Sequence, residues 1–236
     1  MEFKEHTYII IPSYRPGDEL IGLIELILGY GHDKNCRILL VDDGSGLEYR
    51  SIFRHLSRNL RVTLLTHEQN QGKGAALKTA FNYLIQRGVS RPVVTADADG
   101  QHTPSDIARV AIAALQNPDS LILGCRDFKK AMNMPFRSRF GNFWSIKVFR
   151  LLTGMRVSDI QTGLRGIPSA YLPILTTFPQ NRFDFEMVML LDNASRKRFP
   201  FLEVSIEPVY ADEHTSHFRP LRDSLRILRS LKSSGY

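Results

Sequence analysis

The sequence has little cysteine and no long hydrophobic run. Only two cysteines, Cys36 and Cys125, occur among its 236 residues. Both lie in apolar, strand-like segments, which predicts buried free thiols and fits a reducing cytoplasm. No run of about 18 apolar residues is present, so no segment is predicted to span a bilayer. Residues 1–6 lack the basic-then-apolar order of a signal peptide. We therefore expect a cytoplasmic chain that is soluble or peripheral on a membrane.

The charge balance is basic. Lysine and arginine total 31 against 24 aspartates and glutamates, which leaves a formal net charge of +7. This excess predicts an anionic partner, such as nucleotide phosphates, a lipid phosphate, an anionic membrane surface or nucleic acid. Nucleic acid ranks last, because no recognition motif accompanies the basic residues. The length suits one sizeable domain, or one domain with a small appendage.

Short apolar runs alternate with helical patterns through the first half of the chain. Five runs predict strands, at residues 8–12, 37–41, 62–65, 92–96 and 121–124. Because these runs are continuously apolar and alternate with helices, they predict an α/β fold with a mostly parallel central sheet and helices on both faces. Asp18 is expected to cap the first helix. Polar, glycine-rich segments follow the strands, which predicts a ligand site along their C-terminal edge.

The pattern changes after about residue 127. Residues 137–156 and 220–232 combine basic side chains with aromatic or leucine side chains, and residues 184–198 and 201–209 predict a helix and a late strand. Apolar and basic side chains on one helix are typical of a segment that lies on anionic lipid, with core packing as the alternative. We expect a main domain over residues 1–218 and an amphipathic juxtamembrane helix and tail over residues 219–236.

The most informative segment covers residues 94–102. A β-branched run ends in two carboxylates, Asp97 and Asp99, followed by the amide of Gln101. These hard oxygen ligands suit Mg²⁺ or Mn²⁺, which often share their coordination with substrate phosphates. An acidic turn without a ligand is the alternative. His102 is interpreted as structural.

Lys73 lies between two glycines at a predicted helix start. Exposed backbone N–H groups and a lysine can attract an anion there, while a solvated lysine on a glycine-rich turn is the alternative. The Walker A order of residues is absent.

Five motifs occur in order along the chain. They are residues 11–14 (Ile-Pro-Ser-Tyr), 41–45 (Val-Asp-Asp-Gly-Ser), 70–76 (Asn-Gln-Gly-Lys-Gly-Ala-Ala), 96–102 (Ala-Asp-Ala-Asp-Gly-Gln-His) and 158–165 (Ser-Asp-Ile-Gln-Thr-Gly-Leu-Arg). This ordered set resembles family 2 glycosyltransferases of the GT-A fold. The chain is most similar to the polyprenyl-phosphate glycosyltransferases, the group that includes dolichyl-phosphate mannose synthase. It also looks like the catalytic half of bacterial proteins that continue into a flippase-like membrane domain, which is therefore an expected partner.

On the donor side, the resemblance implies that Asp43 binds the nucleotide base and that Pro12 and Tyr14 line the same pocket. Asp42 is assigned to the turn. Lys73 would contact the donor, and the set of Asp97, Asp99 and Gln101 would hold Mg²⁺ or Mn²⁺ on the donor diphosphate. One departure from the family pattern is Arg15-Pro16, where relatives often carry an acidic residue after the tyrosine.

On the acceptor side, the resemblance implies that Arg126, Arg137 and Arg139 contact the leaving diphosphate or an acceptor phosphate, with a solvated basic face as the alternative for Arg137. It also implies that Arg165, in the fifth motif, is a catalytic residue.

Asp159 is where a general base would lie if the acceptor were a hydroxyl. If the acceptor is an already ionised lipid phosphate, Asp159 is expected to orient Arg165 or the sugar. Glu186 is expected either to face the same cleft or to pair with an arginine.

Three functions follow from the resemblance. The first is an inverting, metal-dependent transfer of sugar from a nucleotide-sugar, with a uridine donor favoured, to a polyprenyl (undecaprenyl) phosphate. It would take place on the inner face of the cell membrane and serve cell-surface polysaccharide modification. The second keeps the fold but uses a saccharide or protein hydroxyl as acceptor, with Asp159 as base. The third is a non-catalytic nucleotide-sugar-binding subunit. The sugar itself stays open.

Overall fold

A computed structural model describes residues 6–30, 36–126 and 146–207. Three predictions lie outside the described residues: the helix over residues 220–232, the domain boundary at residue 218 and the roles of Arg137 and Arg139. Within the described ranges, no helix is both long enough and apolar enough to cross a bilayer.

A seven-stranded sheet forms the centre of the molecule. Its order is β3-β2-β1-β4-β6-β5-β7, and every pairing is parallel except those of β6, which lies antiparallel between β4 and β5. The strands are β1 (Thr7–Ser13), β2 (Cys36–Asp42), β3 (Val62–Thr66), β4 (Val93–Thr95), β5 (Leu121–Arg126), β6 (Arg165–Ile167) and β7 (Phe201–Ile206). The predicted mostly parallel α/β sheet is confirmed.

Helices cover both faces of this sheet, as predicted. They are α1 (Glu19–Gly29), α2 (Arg50–Leu56, after a 3₁₀ turn at Leu47–Tyr49), α3 (Lys73–Gln86), α4 (Pro104–Gln116), α5 (residues 146–153), α6 (Leu172–Thr176) and α7 (Asp184–Arg196). A further 3₁₀ turn, Ser169–Tyr171, precedes α6. The sequence did not predict β6 or α6, because three to five residues are too few to show a hydrophobic period.

The core has two halves, one on each face of the sheet. Ile10 and Leu39 pack with α3, α6 and α7, whereas their neighbours Ile9 and Ile38 pack with α1, α2 and α4. Successive side chains of a strand point to opposite faces, so a strand buried on both sides must be apolar throughout. The continuous apolar runs of the sequence thus reflect a sheet buried between two helix layers.

The starts of α4 and α1 differ, and the cap predicted for α1 is wrong. Pro104 begins α4, and the Oγ1 atom of Thr103 accepts a hydrogen bond from the Asp106 N–H at 3.1 Å. Asp18, in contrast, makes no side-chain cap to α1. Its backbone is already helical, and the carboxylate of Glu19 accepts the Gly17 N–H at 3.0 Å instead.

Both cysteines are free, as expected from the sequence. Cys125 is buried in β5, and Cys36 is only partly buried at the start of β2. Burial, together with the nearby carboxylates of Glu203 and Asp159, raises the pKa of the Cys125 thiol, so this cysteine stays protonated.

Candidate active site

The C-terminal ends of β4 and β5 open onto one cleft. It is lined by side chains from the β4–α4 turn, from β5 and from the segment before β6: Asp97, Gln101, His102, Arg126, Gln161, Thr162 and Gly163. Parallel strands bring their carboxyl ends to the same edge of a sheet, which is where open α/β folds bind ligands. The structure therefore brings together three predicted site residues, Asp97, Gln101 and Arg126.

Lys73 reaches this cleft from the start of α3. Its Nζ lies 2.5 Å from Asp97 Oδ1 and 2.7 Å from Glu186 Oε2, and its side chain is only 15 % exposed. Burial opposes the charged ammonium, but the Asp97 and Glu186 carboxylates outweigh it and raise the pKa of Lys73. Burial likewise opposes ionisation of Asp97, yet the Lys73 charge prevails and lowers the pKa of that carboxyl. Both groups are charged, and Lys73 is not the solvated lysine of the alternative.

Three backbone N–H groups around Lys73 are engaged within the protein. Those of Gln71 and Gly72 donate to Asp43, at 2.9 and 2.8 Å, and that of Ala75 donates to the Asn181 carbonyl at 3.0 Å. These three amides are therefore not available to an anion. Anion binding at this helix start stays a prediction.

Asp99 and Gln101 complete the acidic turn after β4. The Oδ1 atom of Asp99 accepts the Gln101 N–H at 3.1 Å, and the Gln101 side chain is exposed. Burial and the charge of Asp97 raise the pKa of Asp99. The two carboxylates therefore repel each other across one short turn.

This donor set fits a divalent cation. It presents carboxylate and amide oxygens, which Mg²⁺ and Mn²⁺ prefer, and a cation would relieve the repulsion between Asp97 and Asp99. Within the described ranges, no group of three or more histidine, cysteine, aspartate or glutamate side chains could hold a metal ion. A cation here would therefore take its remaining ligands from water and from the donor phosphates.

His102 lies in the cleft rather than in the core. Its Nε2 atom is 3.5 Å from Asp97 Oδ2, and the imidazole is buried against the acidic turn. This contact with Asp97 does not show whether the imidazole binds a metal ion. The interpretation of His102 as a structural residue therefore stays a prediction.

Gly163 packs directly against Asp97. A Cβ atom at this position would overlap the Asp97 carboxylate, and the Gly163 carbonyl accepts the Thr95 hydroxyl at 2.8 Å. The close approach explains why glycine follows Gln161-Thr162 in the fifth motif. Sequence reasoning did not find this contact, because Asp97 and Gly163 are far apart along the chain.

Gly163→Ala should weaken metal binding by roughly 10- to 100-fold, the range typical of lost support for a metal ligand. The added methyl group would push the Asp97 carboxylate out of position. Titration with Mn²⁺ would measure the effect. Gly22→Ala, in α1, is the matched control, because a Cβ there meets no atom within 4 Å. Equal Mn²⁺ affinity in both variants would contradict the prediction.

Asp159 is buried and holds Arg126. Its carboxylate accepts Arg126 Nε at 2.7 Å and Nη2 at 3.2 Å, and it also accepts the Gln161 N–H at 3.0 Å. The Asp159 side chain is 0 % exposed, whereas that of Arg126 is 20 % exposed and lines the cleft. Asp159 therefore orients Arg126, and the expectation that it orients Arg165 is wrong.

Arg165 lies in β6, away from the cleft lining. It is 1 % exposed, and it donates to the carbonyls of Glu186 and Ile160 at 3.0 and 3.2 Å. These contacts tie the fifth motif to α7. A catalytic role of Arg165 stays a prediction.

Glu186 pairs with an arginine, which is one of the two alternatives expected for it, and it is not among the residues that line the cleft. Its carboxylate contacts Lys73 beside the cleft, and its Oε1 atom lies 3.9 Å from Arg165 Nη1. The residue comes from α7 and completes a row of alternating charges.

Asp43 lies at the end of β2 and organises the next loop. It accepts four hydrogen bonds, from His67 Nδ1, Asn70 Nδ2 and the Gln71 and Gly72 amides, at 2.8 to 2.9 Å. His67 also bonds to Thr79, at 2.9 Å, and was missed by sequence reasoning. Both carboxylate oxygens of Asp43 are engaged, so they shape the loop that carries Lys73. Recognition of a base by Asp43 stays a prediction.

The remaining donor-side residues lie beside Asp43. Asp42 accepts the Ser45 N–H at 2.9 Å, in keeping with its assignment to the turn. Pro12 is buried in β1, while Tyr14 is 46 % exposed and has the Arg15 guanidinium 5.2 Å from its ring centre. An exposed aromatic face next to buried Asp43 is consistent with a base pocket, which stays a prediction.

Known proteins are similar to this chain over most of its length. Residues 8–166 match the model for "Glycosyl transferase family 2". The chain is 29 % identical over 220 residues to the UDP-N-acetylglucosamine–dolichyl-phosphate N-acetylglucosaminyltransferase of Methanococcus voltae, covering 87 % of this chain and 86 % of the relative. It is 32 % identical over 171 residues to the polyprenol monophosphomannose synthase of Mycolicibacterium smegmatis, covering 68 % of this chain and 61 % of the relative.

The fold is also that of a solved glycosyltransferase. Glucosyl-3-phosphoglycerate synthase from Mycobacterium tuberculosis, in complex with Mn²⁺, UDP and glucosyl-3-phosphoglycerate, superimposes with a TM-score of 0.63 at 15 % identity, covering 97 % of this chain and 79 % of that one. At this identity the likeness shows the GT-A fold alone. The family match covers most of the chain and includes the acidic turn and the Asp159 motif. The chain therefore belongs to glycosyl transferase family 2 and is a glycosyltransferase of the GT-A fold, with relatives among the polyprenyl-phosphate glycosyltransferases.

Proposed function

We propose that this enzyme transfers one sugar from a nucleotide-sugar to a polyprenyl phosphate, with inversion at the anomeric carbon. The observation that carries the proposal is the state of Asp159, which is fully buried and bound through both oxygens to Arg126. A hydroxyl acceptor needs a base that can reach its proton. A phosphate acceptor is already largely ionised near neutral pH and needs positive charge instead, which Arg126 supplies.

Named relatives support the two substrates. The Methanococcus voltae relative is named for UDP-N-acetylglucosamine and dolichyl phosphate, and the Mycolicibacterium smegmatis relative for a polyprenol. A uridine donor is the proposal for this chain. The net charge of +7 suits an anionic membrane surface, so we place the enzyme at the cytoplasmic face of the membrane.

The donor diphosphate would lie at the acidic turn. Asp97, Asp99 and Gln101 would hold Mg²⁺ or Mn²⁺ there, and the bound cation would neutralise charge on the leaving nucleoside diphosphate. The solved GT-A neighbour with Mn²⁺ and UDP supports this cofactor. Tyr14 and Asp43 would bind the base, and Lys73 would lie beside the phosphates.

The chemical step then needs no proton transfer. An oxygen of the acceptor phosphate attacks the anomeric carbon and forms a C–O bond, while the bond from that carbon to the donor diphosphate breaks on the opposite side. Arg126, held by Asp159, and Arg139 would bind the phosphate groups through guanidinium forks. Positioning and charge stabilisation would supply most of the rate enhancement.

Incubation with a panel of nucleotide-sugars, Mn²⁺ and undecaprenyl phosphate in detergent tests the proposal. We expect a lipid-linked sugar by mass spectrometry, and we expect EDTA to abolish it. Donor hydrolysis without a lipid product would contradict the phosphate acceptor and favour a hydroxyl. Absence of turnover with every donor would favour a binding subunit.

A further inference from the structure

Four charged side chains of alternating sign run from the acidic turn into the core. Asp97 pairs with Lys73 at 2.5 Å, Lys73 pairs with Glu186 at 2.7 Å, and Glu186 lies 3.9 Å from Arg165. Asp97, Lys73 and Arg165 lie within the family match over residues 8–166, and Glu186 lies beyond it, on α7. The part of the chain that follows the family match thus contributes a charge to the donor site.

The Lys73 ammonium would compete with a metal ion for the Asp97 carboxylate. The ammonium occupies Oδ1 of Asp97, which is also the proposed metal ligand. A divalent cation bound at Asp97 would be only a few ångströms from this positive charge, and like charges at that distance repel strongly at a buried site. The ammonium must therefore move away from Asp97 when the cation binds.

The backbone that carries Lys73 packs closely against its neighbours. A Cβ atom on Gly74 would lie 2.6 Å from the Cβ atom of Phe185, and one on Gly72 would overlap the Asn181 carbonyl. The Ala75 N–H also donates to that carbonyl. We therefore expect the end of the Lys73 side chain, rather than its backbone, to move.

Glu186 offers the ammonium a second place. Its Oε2 already contacts Lys73, and its Oε1 is buried without a hydrogen-bond partner. A buried acceptor without a hydrogen bond is costly, and a further N–H group from Lys73 would supply one.

We propose that Lys73 is an internal counter-cation of Asp97, and that Glu186 is a positioning residue that holds the Lys73 ammonium when metal and donor diphosphate occupy the site. This inference rests on the proposed metal-dependent function. The diphosphate attracts Lys73 away from Asp97 and so opens Asp97 to the metal. Metal and nucleotide binding are therefore coupled through Lys73, and by linkage each strengthens the other by the same factor.

Direct Mn²⁺ binding, followed by the loss of the free-ion signal in electron paramagnetic resonance, tests the inference without any sugar transfer. In the absence of nucleotide, Lys73→Met should bind Mn²⁺ at least about fivefold more tightly than the wild type, the lower end of typical coupling between sites. Glu186→Gln should bind Mn²⁺ more weakly, because Lys73 then has Asp97 as its remaining carboxylate partner in the described contacts. UDP should improve Mn²⁺ affinity less in Lys73→Met than in the wild type.

The sign of the change separates this role from a structural one. If Lys73 only stabilised the fold, Lys73→Met would weaken Mn²⁺ binding or leave it unchanged, and either result would overturn the inference. Lys78→Met is the matched control on α3, since Lys78 donates to the Phe178 carbonyl. The effect of Glu186→Gln should shrink in the Lys73→Met background, because residues that act through one another are not additive.

The outcomes also distinguish this inference from the proposed function. Wild-type protein that bound no Mn²⁺, with or without UDP, would overturn the metal site and the inference together. Unchanged Mn²⁺ affinity in Lys73→Met would overturn the inference about Lys73 but not the proposed function. The proposed function is tested separately, by EDTA-sensitive sugar transfer to a lipid phosphate.

Discussion

Asp99→Asn should reduce sugar transfer by on the order of 10²- to 10³-fold, because a bound metal contributes several kcal/mol of charge stabilisation and each 1.36 kcal/mol changes the rate tenfold. The substitution keeps an oxygen for the Gln101 N–H, which is the hydrogen bond that Asp99 accepts in the structure. It removes only the charge that would bind the cation. Initial rates of transfer to undecaprenyl phosphate, measured with the donor that the panel of nucleotide-sugars identifies, check the result.

Asp119→Asn is the matched control for this variant. Asp119 is exposed in the turn between α4 and β5, at the opposite edge of the sheet from the cleft. Its transfer rate should equal that of the wild type. A full transfer rate in Asp99→Asn would contradict the assignment of Asp99 as a metal ligand. So would a variant that binds Mn²⁺ with normal affinity but whose lost transfer rate is not restored at any Mn²⁺ concentration.

Asp159→Asn should lower the turnover rate by about 10²-fold, the typical effect of a displacement of about 1 Å in a reacting site. The neutral amide can still accept one hydrogen bond from Arg126, but the bidentate, charge-assisted pair is lost. The guanidinium then loses its fixed orientation toward the cleft. Because Asp159 acts on Arg126 rather than on a proton of the acceptor, the residual activity should keep the wild-type pH profile.

The pH profile decides between the two acceptors. If Asp159 were the general base for a hydroxyl, Asp159→Asn would abolish transfer over the whole pH range and leave no residual profile. Arg126→Lys provides a comparison, since it keeps the positive charge but loses the planar fork. Similar losses in Asp159→Asn and Arg126→Lys would support a shared role in phosphate binding.

Stability measurements add an independent check on this pair. Arg126→Ala leaves the completely buried Asp159 without its guanidinium partner. Breaking a buried ion pair in this way costs about 3–5 kcal/mol of the free energy of unfolding. Denaturant unfolding of Arg126→Ala and Asp159→Asn should therefore show the larger loss in Arg126→Ala, because Asn carries no buried charge.

Local sequence patterns were sufficient for most of the architecture. The apolar runs that became β1, β2 and β5 are buried on both faces, and this is why their hydrophobicity is continuous and easily read. The position of Asp97 and Asp99 was also predictable, because they follow β4 directly along the chain and parallel strands end at one edge. β6 was not, since an antiparallel strand of three residues leaves no periodic signal.

The sequence by itself determined the family, the order of the motifs and the edge of the sheet at which they meet. Only the tertiary structure decided which side chains contact each other there. Lys73 pairs with Asp97 and Glu186, Asp159 holds Arg126 rather than Arg165, and Gly163 leaves room for the Asp97 carboxylate. These partners are separated by 24 or more residues, so no local spacing encodes them. Burial decides such pairings, because a charge removed from water must find an opposite charge in whichever element the fold packs against it.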